Sequence, residues 1–184
     1  VGRMMSRVLI NPTNTNILLV ATSNGIYRST DAGVTFTQAT NVATSLPVAG
    51  SFKDMEFKPG DPNTVYACGS EFFRSTNGGQ TWTKVTSGVP ASTTVSRMAI
   101  AVTAADPTLV YMIVGLPGPN YGTQGFYKSI TSGTSFTKPS TPDIGKQQWY
   151  DLCIAANPSN AQEVMIGGQT QFLKSTNGGT AWTD

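Results

Sequence analysis

The sequence predicts an all-β chain, a β-propeller built from four-stranded antiparallel blades. Three observations carry that reading. Ser, Thr, Asn and Gly are abundant while Lys and Glu are scarce, and such a composition favours strands joined by tight turns. No sustained 3.6-residue apolar periodicity runs along the chain, so no long helix is expected. A ten-residue segment recurs four times at the spacing of a propeller blade.

The recurring segment reads YRSTDAGVTF from Tyr27, FRSTNGGQTW from Phe73, YKSITSGTSF from Tyr127 and LKSTNGGTAW from Leu173. Its serines, Ser29, Ser75, Ser129 and Ser175, stand 46, 54 and 46 residues apart. Upstream of each copy lies an apolar strand, a turn rich in Pro or Asp, and a second apolar strand, as in KDMEFKPGDPNTVYACG. Each repeat therefore supplies four strands, A to D, with the recurring turn between C and D. The expected blades are about 3–40, 51–86, 95–139 and 150–184, the last cut within its strand D. A single blade cannot bury both faces of its sheet, so neighbours must stack on it. The expected shape is an open arc of four blades, part of a larger propeller whose remaining blades are its first partners.

The turn has a physical logic. Asp31, Asn77 and Asn177 are Asx-turn residues, expected to accept backbone N–H groups two residues on. Gly33, Gly78, Gly79, Gly133, Gly178 and Gly179 supply positive φ. The closing aromatics, Phe36, Trp82, Phe136 and Trp182, are expected to anchor each hairpin against its own blade. The third copy has Thr131 and Ser132 in place of the Asx residue and its successor; the same course with a weaker side-chain lock is expected there.

With S-T-[DN]-G-G-x-T-W on the page, the chain resembles the Asp-box (BNR repeat) propellers of sialidases, sortilin-like receptors, xyloglucanases and a photosystem assembly factor. The stretch WYDLCIAANPSNAQEVMIGGQTQFLKSTNGGTAW is similar to a blade of sortilin-like propellers in bacterial surface proteins that use type IX secretion. The resemblance implies that the boxes are structural and lie on the face away from any active site. It also implies an extracellular or cell-surface setting, with an export signal outside residues 1–184.

Composition narrows the function. Of the 184 residues 12% are charged and 39% hydrophobic, and the net charge is +2 with scattered basic residues. That excludes a disordered chain and disfavours nucleic-acid binding, which wants clustered Lys and Arg. No apolar run reaches the 18 residues of a membrane span. The chain has no His, which removes Ser-His and Cys-His nucleophile pairs and His-based metal sites; no cofactor or metal is expected. Cys68 and Cys153 sit in apolar strands and read as buried, inert thiols, two blades apart and beyond disulfide reach.

Blade topology puts the B–C loops and the D–A links on the face opposite the recurring turns. Three B–C loops are short, while the third, Gly115 to Gly125, carries the eight extra residues of the 54-residue interval. Long loops in compact domains are commonly functional. The link KQQWYDL precedes blade four on the same face. Tyr121, Trp149, Tyr150 and Asp151 are therefore the candidate ligand-binding residues, an aromatic platform with an acid beside it, suited to sugar rings or peptide side chains. The alternative is that Trp149 and Tyr150 pack between blades and Asp151 caps a strand entry.

These features favour a non-catalytic extracellular interaction propeller that binds glycan or protein. Two alternatives stay open. One is a xyloglucanase-type glycoside hydrolase, with Asp151 as one carboxylate and its partner on further blades. The other is a scaffold module of a secreted multidomain protein. A sialidase is disfavoured: the five arginines, at 3, 7, 28, 74 and 97, form no cluster, and Arg28 and Arg74 occupy one repeat position just before the turn.

Overall fold

The computed structural model describes residues 4–119 and 121–184; Arg3 in the first expected blade and Asn120 in the expected insertion lie outside the described residues. The fold is an all-β propeller of four blades, and among the described residues helix is reduced to one 3-10 turn at Ser92–Thr94. Blade 1 comprises β1 (Met5–Ile10), β2 (Leu18–Thr22), β3 (Gly25–Ser29) and β4 (Thr37–Gln38), paired in that order. A short β5 (Thr40–Asn41) follows. Blade 2 comprises β6 (Asp54–Lys58), β7 (Asp61–Cys68), β8 (Phe72–Ser75) and β9 (Thr81–Val85). Blade 3 comprises β10 (Arg97–Val102), β11 (Val110–Gly115), β12 (Thr123–Ser129) and β13 (Thr137–Ser140). Blade 4 has β14 (Cys153–Ala156), β15 (Val164–Gly167) and β16 (Phe172–Ser175), with a Lys174–Thr183 bridge where the other blades have a fourth strand.

All pairings within a blade are antiparallel, while β5 runs parallel to β9 and ties the tail of blade 1 onto the outer edge of blade 2. The first strands of successive blades, β1, β6, β10 and β14, touch in sequence and form the inner edge of the arc.

Among the described residues three cores hold the blades together, one at each boundary. Leu19, Ala21 and Ile26 of blade 1 pack on Met55, Val65, Ala67 and Trp82 of blade 2. Tyr66, Cys68 and Phe72 of blade 2 pack on Met98, Ile100, Met112 and Phe136 of blade 3. Tyr111, Ile113 and Phe126 of blade 3 pack on Ile144, Val164, Ile166 and Leu173 of blade 4. Among the described residues no fourth core joins blade 4 to blade 1, so the arc is open.

The recurring turn is held by its serine as much as by its Asx residue. Ser29 Oγ accepts the N–H groups of Asp31 and Gly33 at 3.2 and 2.9 Å. The Asp31 carboxylate reaches four residues on, to the Thr35 N–H at 2.9 Å, rather than two. Asn77 and Asn177 make the same reach, to Thr81 and Ala181. In the third copy the Thr131 hydroxyl takes over and accepts the Ser135 N–H at 3.2 Å.

The closing aromatics correct a second expectation. Three of the four pack across the blade boundary, because the hairpin tips lean onto the preceding sheet, while Phe36 is 41% exposed. Trp82 is fully buried in the core shared with blade 1. Phe136 meets Phe72 of blade 2 edge-on at 4.8 Å, and Trp182 meets Phe126 of blade 3 at 4.9 Å. Cys153 is a third correction: it is exposed, not buried, because it lies on the outward side of blade 4, whereas Cys68 is buried. Both thiols are free.

Candidate functional site

The link before blade 4 is pinned at both ends. Ile144 and Leu152 are buried in the core between blades 3 and 4, at 0% and 4% exposure. Between them the chain must turn outward. Gln147, at φ +66°, starts a tight turn whose carbonyl accepts the N–H groups of Tyr150 at 2.8 Å and Asp151 at 3.0 Å.

Gln148 couples this link to the long loop of blade 3. Its side chain is fully buried, and Nε2 donates to Thr123 Oγ1 at 2.7 Å and to the Gly145 carbonyl at 3.1 Å. Its backbone N–H donates to the Tyr121 carbonyl at 3.4 Å. The loop closes on itself through the Leu116 N–H to the Gly122 carbonyl at 2.7 Å. Tyr121 sits at φ +43° with its ring over Gly118, where an added Cβ would lie 2.5 Å from the ring. The loop and the link therefore form one surface, although each belongs to a different blade.

On that surface Trp149 and Tyr150 stand 51% and 67% exposed, with ring centroids 5.6 Å apart and planes tilted by 50°. Tyr121 is 42% exposed. These rings lie outside the three cores, and Asp151 is half-buried at the foot of the link. Trp149 and Tyr150 thus present two adjacent exposed rings on a link whose ends are buried.

A second constellation sits beside it, and sequence reasoning missed it. Arg7 of β1 pairs with Glu56 Oε1 and lies 3.6 Å from Asp54 Oδ1, both on β6. Asp54 Oδ2 accepts the Ile100 N–H of β10 at 3.0 Å. Arg97, at the start of β10, donates through Nη1 to the Tyr150 carbonyl. Its Nε is buried and has no hydrogen-bond partner among the described residues. The inner edge thus carries a charged cluster across three blades, and Arg97 connects it to the aromatic platform.

Burial pushes the Asp54 carboxyl up, opposed by the Ile100 N–H and by the Arg7 charge. Burial likewise raises Glu56, with Arg7 pulling down and Asp54 adding to the rise. A cavity of about 220 Å³ opens here, bounded by Arg7, Lys53, Asp54, Glu56, Arg97 and Cys153. The available signal was the alternation in KDMEFK, which puts Asp54 and Glu56 on one side of the strand. Two further hollows, of about 390 and 360 Å³, follow β9 and the 86–92 loop. Among the described residues no group of three or more His, Cys, Asp or Glu is placed to hold a metal ion.

No protein-family model matches the sequence, and no curated protein matches it. Solved structures do match in fold. An ancestral GH74 enzyme superposes with a TM-score of 0.72 at 22% identity, over 97% of this chain and 23% of that one. The GH74 enzyme of Niastella koreensis gives 0.68 at 23% identity, over 96% and 28%. The GH74 xyloglucanase of Xanthomonas campestris gives 0.68 at 19% identity, over 96% and 29%. The chain thus spans less than a third of the length of these enzymes, and what it shares with them is a propeller fold.

Proposed function

We propose that this chain is an extracellular propeller segment that binds a polysaccharide without cleaving it. Tyr121, Trp149 and Tyr150 form the sugar platform, and Asp151 hydrogen-bonds ring hydroxyls. The observation that carries the reading is the Trp149–Tyr150 pair, exposed on a link whose two ends are buried. Apolar sugar faces stack on aromatic rings, and a platform fixed before binding loses little entropy when the ligand arrives. Likeness of fold to enzymes that include a xyloglucanase supports a glucan over a peptide. The recurring turns are Asp-boxes in this reading. The setting is a secreted or surface-attached protein of the sortilin-like kind exported by type IX secretion.

A second reading is a xyloglucanase-type hydrolase. It is favoured by Asp151 beside the platform and by the GH74-like fold. It needs a second carboxylate across the sugar. A scaffold role, in which these faces only space other modules, is the third.

Calorimetry with xyloglucan oligosaccharides, beside an assay for reducing ends, separates the three. Saturable binding without release of reducing ends, lost in Trp149→Ala, supports the proposal. Turnover supports the hydrolase, and neither binding nor turnover leaves the scaffold.

A further inference from the structure

The hollow on the inner edge holds a surplus of positive charge once its bonds are followed atom by atom. Asp54 is fully engaged: Oδ1 accepts the Met55 N–H and Oδ2 the Ile100 N–H, each at 3.0 Å. Glu56 Oε1 is taken by Arg7, which also lies 3.6 Å from Asp54 Oδ1. One guanidinium thus answers both carboxylates. Among the described residues Glu56 Oε2 keeps an open acceptor position.

The other two cations have no carboxylate of their own. Arg97 spends one N–H on the Tyr150 carbonyl, and its Nε is buried without a partner. Lys53, directly before β6, makes no side-chain hydrogen bond or ion pair among the described residues. Both line one cavity of about 220 Å³, whose walls come from the inner edges of all four blades. Cations sharing a hollow repel one another, and an anion placed between them relieves the repulsion. A guanidinium edge matches the two oxygens of a carboxylate, and an ammonium beside it adds a second charge-assisted bond. Arg97 also holds the Tyr150 carbonyl, so the hollow begins where the aromatic pair ends.

We propose that this cavity is a subsite for an acidic sugar, with a uronate carboxylate on Arg97 and Lys53 and a ring hydroxyl on Glu56 Oε2. The inference rests on the polysaccharide reading and sharpens it. The glycan carries uronate residues, one of them in the hollow while its neighbour along the chain stacks on Trp149 and Tyr150. A wholly neutral glucan leaves both cations unanswered.

Calorimetry with cello-oligosaccharides and cellouronates of the same length tests this, because the two differ only in carrying CH2OH or carboxylate at C6. The expected result is at least about tenfold tighter binding of the uronate, the worth of one charge-assisted hydrogen bond. That preference should shrink as salt rises, since the attraction is screened. Lys53→Gln removes a side chain that holds nothing in the fold, and should lower the preference for uronate over neutral sugar about fivefold or more. Arg97→Gln should lower it further, and Arg97→Lys should restore only part, because the bidentate edge is lost. Equal affinity for the two sugars, or a preference unchanged in Lys53→Gln, overturns the subsite. If both sugars then bind and both are lost in Trp149→Ala, the platform reading survives that failure. Uronate binding that persists undiminished in Trp149→Ala supports the subsite and overturns the platform. Binding of neither sugar overturns the subsite.

Discussion

Arg28 Nε donates to the Gly78 carbonyl 3.0 Å away, reaching out of blade 1 into the turn of blade 2. Arg74 repeats the contact on Ser132 of blade 3 at 2.8 Å. The arginine before the first and second turns therefore joins blades, and its repeat position has a structural cause. Arg28→Ala removes a charged donor from a half-buried carbonyl and should cost about 1–2 kcal/mol. Urea denaturation checks it, and Arg28→Lys should recover part of the loss.

The turns carry strain in two of their four copies. Ala32 and Ser132 adopt φ +58° and +52°, where the other copies place Gly78 and Gly178. The left-handed conformation costs a residue with a Cβ about 1–2 kcal/mol, while glycine loses about 0.5–1 kcal/mol in chain entropy. Ala32→Gly and Ser132→Gly should each stabilise by about 0.5 kcal/mol. Thermal unfolding of the double variant should show additive gains, because the turns are two blades apart.

Asp31 gives the fold an acid sensitivity that Asn would lack. Hydrogen bonds from the Thr35 hydroxyl, the Thr35 N–H and Ser29 hold its carboxyl down at about 2, below the ordinary 3.8. A carboxyl lowered by folding contributes stability above its unfolded value and loses it as pH falls toward the folded one. Wild-type stability should thus decline between about pH 4 and 2. Asp31→Asn should flatten part of that decline, since Asn77 and Asn177 hold the same turn without titrating. Denaturant midpoints across this range measure it. Asp61, Asp106 and Glu163, lowered by their own hydrogen bonds, keep the remaining slope.

Gln148 is the joint between loop and link. Gln148→Leu keeps the volume but removes the donors to Thr123 and Gly145, and should cost about 1–3 kcal/mol. Hydrogen exchange should rise at residues 145–151 and 121–123 while the cores stay protected.

What was legible in the sequence was what depends on local spacing. Ser75, Asn77, Gly79 and Trp82 lie within eight residues, so a hairpin and its repeat could be read from residue order alone. Tyr121 and Trp149 were placed on one face by blade topology, and the buried side chain of Gln148 supplies the physical tie. The Arg7–Asp54–Glu56–Arg97 cluster was not legible, because its members come from three strands and meet only when blades stack. The partners of Phe136 and Trp182 lie in the preceding blade for the same reason: local order does not say onto which sheet a hairpin tip leans. Cys153 stands at the repeat position of the buried Ala99 and is exposed, a difference that local order does not show.

The most direct measurement of the proposed function is tryptophan fluorescence during titration with xyloglucan oligosaccharides. Trp82 is fully buried, Trp182 is packed on Phe126, and Trp149 is 51% exposed, so a ligand on the platform reports through Trp149. A saturable blue shift, absent in Trp149→Ala and in Trp149→Ala alone among single tryptophan replacements, is the predicted result. No saturable shift in the wild-type chain, or an undiminished shift in Trp149→Ala, contradicts it.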